Sequence, residues 1–169
     1  MTFRRTPTLR AALLAASAAF SLAAVAASPD AAFVQKAAAG GMAEVEMGKL
    51  AQDKATVDQV KQFGARMVQD HGKANDELKQ VAGTKGVQLP AGPDAKAQTE
   101  MKKMQSMSGA PFDKHYIDHM VADHKKDIAA FEAEAKSGKD PEVKAFAQKT
   151  LPTLKEHLQL AQQAQAAVK

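Results

Sequence analysis

An all-α four-helix bundle is the fold this sequence predicts, on three observations. Ala, Lys, Gln, Glu and Met dominate the chain, and these side chains lose little rotamer freedom in a helix. No stretch alternates apolar and polar residues with period two between turn signals, so strands, and an outer-membrane barrel with them, are not expected. Apolar residues instead recur at spacings of three and four along four long segments, separated by Gly, Pro and Asp-Pro breaks.

The first 27 residues read as a secretory signal rather than part of the bundle. Arg4, Arg5 and Arg10 supply a positive start, Ala11 to Val25 is an Ala/Leu-rich apolar stretch, and Val25-Ala26-Ala27 offers small residues for cleavage near Ala27. Arg4-Arg5 lacks the surrounding pattern of a twin-arginine signal. No second apolar run follows, so no transmembrane segment is expected after cleavage.

The four long helices then follow in order. The first spans about Pro29 to Asp53. Thr56 is the expected N-cap of the second, which ends at Lys85 and Gly86, where Gly suits a left-handed C-cap and Pro90 prevents resumption. The linker GVQLPAGP leads to a short extra helix from Asp94 to Ser106. SGAPFD at Ser108 to Asp113 opens the third long helix, which reaches Lys136. Asp140-Pro141, an N-cap followed by Pro at the first helical position, opens the fourth, which ends near Ala167. Short connections within the first and second pairs imply two antiparallel hairpins, and with both turns at one end the bundle would run up-down-up-down. DQVKQFG at Asp58 to Gly64 resembles PEVKAFA at Pro141 to Ala147, which suggests an internal duplication.

Charge and composition narrow the function. The chain carries 23 Lys+Arg against 19 Asp+Glu; the three signal arginines account for most of the excess, leaving 20 against 19. Without a basic stripe, and with a single Tyr and no Trp, neither phosphate-binding nor base-stacking surfaces are supplied, so no nucleic-acid partner is expected. The absence of Cys removes disulfides, thiolate metal sites and a lipid-bearing N-terminal Cys. About 142 mature residues make one domain, large enough to bury a core.

MVQDH at Met67 to His71 recurs as MVADH at Met120 to His124. On a helical projection His71 joins the stripe Val60, Phe63, Met67, Ala74 and Leu78; His124 joins Ile117, Met120, Ile128 and Phe131; and His157 lies at the edge of Val143, Phe146, Thr150, Leu154 and Leu158. Three imidazoles on three helices point inward. Counted from the hairpin turns, with both at one end, their depths differ by about 4 to 5 Å at the helical rise, so they can share a layer. Gly40-Gly41 occupies that depth on the first helix, at a cost of about 1 kcal/mol per Gly, and is expected to leave room across the core. Glu44 is the inward-leaning carboxylate of that helix. Asp70 and Asp123 precede their histidines, turn about 100° aside, and suit orienting an imidazole on a neighbouring helix or facing solvent.

The expected chemistry is one transition metal ion, copper, zinc, iron or manganese, held by His71, His124, His157 and Glu44. Met67 and Met120, four residues before their histidines on the same face, are softer ligands that would favour copper. The competing reading satisfies the histidines by hydrogen bonds to Tyr116, Thr150 or Asp70. Ring nitrogens within about 4 to 5 Å of one another favour the metal; separations beyond 8 Å would exclude it. His115 and His119 form an i, i+4 pair extended by Asp123, but their face turns away from the core stripe and is expected to be solvated. Met101, Met104 and Met107 are expected to pack as an apolar stripe. Pro152 should kink the last helix one turn before His157. No phosphate loop, nucleophile elbow or Ser/His/Asp set is present, so a non-enzymatic protein is expected.

FVQKAAAGGMAEVEMGKLA, VKQFGARMVQDHGKANDEL, KGVQLP, FDKHYIDHMVADH and LPTLKEHLQLA, in this order, resemble the family named domain of unknown function 4142, over Phe33 to Ala161. The resemblance implies an exported bacterial protein with a ferritin-like bundle, often labelled as an outer membrane protein; a soluble periplasmic protein fits these residues better. Di-iron ferritin-like proteins use Glu-x-x-His motifs, whereas His71, His124 and His157 each follow an acidic residue directly. A di-metal oxidase is therefore the least supported reading. A cell-envelope protein without metal, acting through a protein partner or as a homo-oligomer, stands as the alternative to metal handling or a stress role.

Overall fold

A computed structural model describes residues 28–168; the expected signal peptide and its cleavage near Ala27 lie outside them. Four long helices, α1 (Pro29–Lys54), α2 (Asp58–Lys85), α4 (Gly109–Ser137) and α5 (Pro141–Ala167), form the bundle, and the short α3 (Ala95–Gln105) lies in the connection between α2 and α4. The described residues contain no strand. No helix among them is long and apolar enough to cross a membrane.

Local chemistry accounts for most boundaries. The Ser28 hydroxyl accepts from the Ala31 amide and precedes Pro29, Asp94 caps α3, and Asp140 caps α5 through the amides of Glu142 and Val143. Gly86 ends α2 at φ 63°, the left-handed region that favours Gly. α5 continues through Pro152.

The expected Thr56 cap is corrected. α2 is preceded by Val57, which makes no side-chain cap bond, and the turn is held from outside by Asp113 of α4. The Asp113 carboxylate, fully buried, accepts from the Thr56 amide, at 3.0 and 3.1 Å to its two oxygens, from the Thr56 hydroxyl, and from the Val57 amide at 3.1 Å. Asp30 of α1 does the same for the α4–α5 turn, accepting from the amides of Lys139 at 2.9 Å and Asp140 at 2.6 Å.

These reciprocal caps also correct the topology. The α1–α2 turn lies beside the start of α4, and the α4–α5 turn beside the start of α1, so the two turns sit at opposite ends and the bundle runs up-down-down-up. The expectation of up-down-up-down assumed a return connection at one end. Instead residues 86–108, part extended and part helical, cross the length of the bundle over the α1–α4 seam. Gln35 holds the Gln88 carbonyl near the start of this crossover, and Lys54 holds the Gln105 carbonyl near its finish. This is the single long connection of ferritin-like folds.

The two hairpins are related by more than the DQVKQFG/PEVKAFA match. One sequence offset carries Val60 to Val143 and Phe63 to Phe146, all buried, Asp30 to its counterpart cap Asp113, and Glu44 to Asp127. Within the first hairpin the helices approach backbone to backbone: a Cβ on Gly48 would lie 2.7 Å from the Gly64 carbonyl oxygen, and one on Gly64 would lie 2.8 Å from that of Gly48.

The core falls into two apolar halves. Met47, Val60, Phe63, Met67, Met104, Phe112, Tyr116 and Met120 pack towards the Asp113 end; Val34, Leu78, Phe131, Val143, Phe146 and Leu154 pack towards the Asp30 end. On every long helix, Glu44, His71, His124 or His157 falls between the two halves. Met104 belongs to the core with Met101 and Met107 packed against it, an apolar stripe as the spacing suggests.

Candidate metal centre

Each histidine of the central layer reaches it from the middle of its own helix, and each is buried: His71 is 6% exposed, His124 0% and His157 1%. Their ring centroids form a nearly equilateral triangle with sides of 5.7, 5.3 and 5.4 Å. One ligand-capable nitrogen from each lies within 4.8 Å of the others. Phe63 closes the Asp113 side, its ring 6.0 Å from His124 and 6.5 Å from His157.

The outer nitrogens are committed to protein acceptors. His124 Nδ1 lies 3.0 Å from the Met120 carbonyl oxygen, which can only accept, so Nδ1 carries the proton. His157 Nε2 donates to Asp70 Oδ2 at 3.0 Å, and His71 Nδ1 donates to Glu44 Oε2 at 3.0 Å. In the neutral imidazoles this leaves His71 Nε2, His124 Nε2 and His157 Nδ1 as lone pairs. His124 Nε2 and His157 Nδ1 face each other at 3.4 Å, and His71 Nε2 is buried without a partner. Imidazoles at metal centres are held in this way, with the far N–H anchored by a carboxylate or carbonyl.

The electrostatics favour neutral rings at two of the three positions. Burial lowers the basicity of His157, whose hydrogen bond to Asp70 offsets this only in part, and its pKa falls to about 4. Burial likewise lowers that of His124. At His71 the effect of burial is outweighed by the Glu44 carboxylate, and the pKa rises. Burial pushes Glu44 upward, but the charge and hydrogen bond of His71 hold it below the usual carboxylate range.

Glu44 therefore occupies a different position from the one expected of it. It lies outside the converging set and orients His71 through Oε2, while Oε1 is buried without a hydrogen bond, 3.5 Å from His124 Nδ1. Met67 and Met120 are fully buried in the apolar half beneath the histidines.

Asp70 orients an imidazole on another helix, one of its two expected uses, and is itself paired with Arg66, which also meets Glu156 at 3.3 Å. Tyr116 and Thr150 are not the histidine partners; the Tyr116 hydroxyl is buried with none. Gly41 leaves room for the Asn75 side chain, whose Oδ1 would lie 2.3 Å from an added Cβ, so the space is filled by Asn75 rather than by a ligand-bearing group.

The His115–His119 face is also corrected. It lies beneath α3, with side-chain exposures of only 26% and 21%. His115 pairs with Glu100 of α3, and His119 Nε2 stands 3.1 Å from Asp123 without hydrogen-bond geometry. Helical projection could not show that the crossover covers this seam.

Sequence reasoning missed Asp127. It lies one turn beyond His124 and lines the cavity that Glu44 and His71 also line, with no hydrogen bond or ion pair to another described residue. Burial, then the charges of Glu44 and Asp123, push its pKa up to about 7. The sequence signal was its offset from Glu44, the same as that of the repeated Phe63 and Phe146.

Fold and site together define a helical-bundle protein with a buried three-histidine cluster able to hold a metal ion. The chain belongs to the family described as Domain of unknown function (DUF4142), which it matches over residues 15–164. No curated protein matches it. Among solved structures it is similar to a DUF305 protein from Streptomyces coelicolor, with a TM-score of 0.65 and 15% identity, covering 78% of this chain and 88% of that one. At that identity the likeness shows the fold alone.

Proposed function

We propose that this protein binds one transition metal ion through His71 Nε2, His124 Nε2 and His157 Nδ1 and serves metal handling or a stress response in the periplasm. One observation carries the reading: three buried imidazoles have their outer nitrogens anchored to Glu44, Met120 and Asp70, while their inner nitrogens, lone pairs in the neutral rings, converge. Metal–nitrogen bonds of about 2.0 to 2.1 Å place the nitrogens of a tetrahedral centre about 3.4 Å apart. His124 and His157 already stand at 3.4 Å, and the other separations need to close by at most about 1.4 Å, within reach of ring rotation.

Three imidazoles suit copper, zinc, iron or manganese, and the thioethers of Met67 and Met120 one turn away tilt the choice towards copper. No nucleophile or paired acid and base accompanies the set, so binding rather than catalysis is the activity assigned. Export rests on the charged and apolar pattern of residues 1–27. The alternative, a metal-free envelope protein acting through a partner or a second copy, draws on the Glu44–His71 pair, in which a protonated His71 would turn an N–H towards the lone pairs of His124 and His157.

The test is metal analysis of untagged protein purified from the periplasm, repeated for His71→Ala and His124→Ala. One equivalent in the parent and far less in both variants is the expected result. Equal metal content in all three would remove the site.

A further inference from the structure

The cavity beside the histidine layer has a composition of its own. It measures about 430 Å³ and is lined by apolar Phe33, Leu78, Phe131, Phe146 and Leu154 together with polar Glu44, His71, Asn75 and Asp127. A cavity of roughly 150 Å³ lined by apolar side chains holds a benzene molecule, so this one has room for a two-ring body. Exposed Lys36 and Lys126 stand at its rim, where α1 meets α4.

The polar lining is rich in unmatched acceptors. Glu44 Oε1, on a residue only 4% exposed, has no hydrogen bond, and Asp127 has no partner among the described residues. The internal repeat explains why. Glu44 anchors His71; the residue that stands to Asp127 as His71 stands to Glu44 is Leu154, by the same offset, and Leu154 also lines the cavity. Where the first hairpin supplies a donor to its carboxylate, the second supplies a methyl-bearing wall and open space.

We infer that this cavity binds a small neutral molecule with an apolar, two-ring-sized body and a hydroxyl head that donates to Glu44 Oε1, beside Asp127. An anionic head would meet two carboxyl groups in a poorly solvated space. A cationic one would have to pass the two lysines at the rim. The site is distinct from the three converging nitrogens and does not need a metal in them.

The probe is 2-naphthol, titrated into the purified chain before and after dialysis against a chelator, with naphthalene and 2-naphthoate as matched bodies lacking the donor or carrying a charge. Saturable one-to-one binding of 2-naphthol is expected, with the other two at least about tenfold weaker, the scale of a hydrogen bond to a charged acceptor. Ala74→Leu on α2 and Thr150→Leu on α5 each fill part of the cavity without replacing a histidine or a carboxylate, and both should weaken 2-naphthol binding at least tenfold while retaining helical content. Equal binding of 2-naphthoate, absence of saturable binding, or binding unchanged in both folded variants would overturn the inference. Metal stoichiometry in the two variants tests the histidine centre separately.

Discussion

His124 Nε2 and His157 Nδ1 face each other at 3.4 Å across two helices, and in the neutral rings neither has a proton to give the other. His124 spends its proton on the Met120 carbonyl and His157 spends its own on Asp70. A shared cation would resolve this contact. Replacing His157 with Ala should therefore reduce metal affinity at least about a hundredfold, whereas His115→Ala, whose ring is paired to Glu100 beneath α3, should leave it within about twofold. Titration of the chelator-treated protein with zinc and with copper measures both.

Asp70 touches only the outer nitrogen of His157, and it links that ring to Arg66. Loss of such an anchor costs about 10- to 100-fold in metal affinity while the ligands remain. Asp70→Ala should fall in that range with stoichiometry still one to one. A stoichiometry of zero would make Asp70 a determinant of folding rather than of ring orientation; thermal unfolding of the same sample distinguishes the two.

Asp113 satisfies three donors of the α1–α2 turn from a fully buried position. Its removal takes the acceptor from two amides and a hydroxyl of a partly exposed turn, at about 1 kcal/mol for each hydrogen bond lost. Asp113→Ala should destabilise the protein by about 3 kcal/mol or more in urea unfolding. Asp30→Ala, which strands two amides of the opposite turn, should cost less.

Asp127 ionises reluctantly, with a pKa pushed up to about 7. The folded chain thus holds a proton there that the unfolded chain releases near 3.8, so the site costs nothing below pH 3.8, and its penalty on folding grows between pH 3.8 and 7 and is constant above. Asp127→Asn should match the parent near pH 4 and exceed it above pH 8. A shift of about three units corresponds to about 4 kcal/mol, and screening at this partly exposed carboxyl brings the expected gain to about 2 kcal/mol. Unfolding curves across this range give the difference directly.

Gly48 and Gly64 permit the close crossing of α1 and α2, and a methyl group at either meets the other's carbonyl oxygen at under 3 Å. Gly64→Ala should destabilise by about 2 kcal/mol or more, despite the better helix propensity of Ala. At Gly40 a Cβ meets nothing within 4 Å, so Gly40→Ala should stabilise by about 0.5 to 1 kcal/mol. Paired denaturant melts separate the two signs.

The shared histidine layer was legible for a reason that forgave an error. His71, His124 and His157 lie near the midpoints of their helices, so counting from either end places them at similar depth, and placing both turns at one end did little harm. The pairing of Glu44 with His71 was not legible because a projection shows which way a side chain leans, not which group on a neighbouring helix its carboxylate meets. The burial of His115 and His119 was illegible because a projection of one helix contains no other helix.

By itself the sequence determined the helices, their inward faces and the presence of three imidazoles on three of them, because 3.6-residue periodicity and capping chemistry are local. Only the tertiary structure decided which end each turn occupies, which carboxylate anchors which ring, and that Asp127 lines an open cavity without a hydrogen-bonded histidine of its own. Those outcomes depend on contacts between segments far apart in the chain, where the crossover of residues 86–108 sets the direction of the second hairpin and so the partner of every buried polar group.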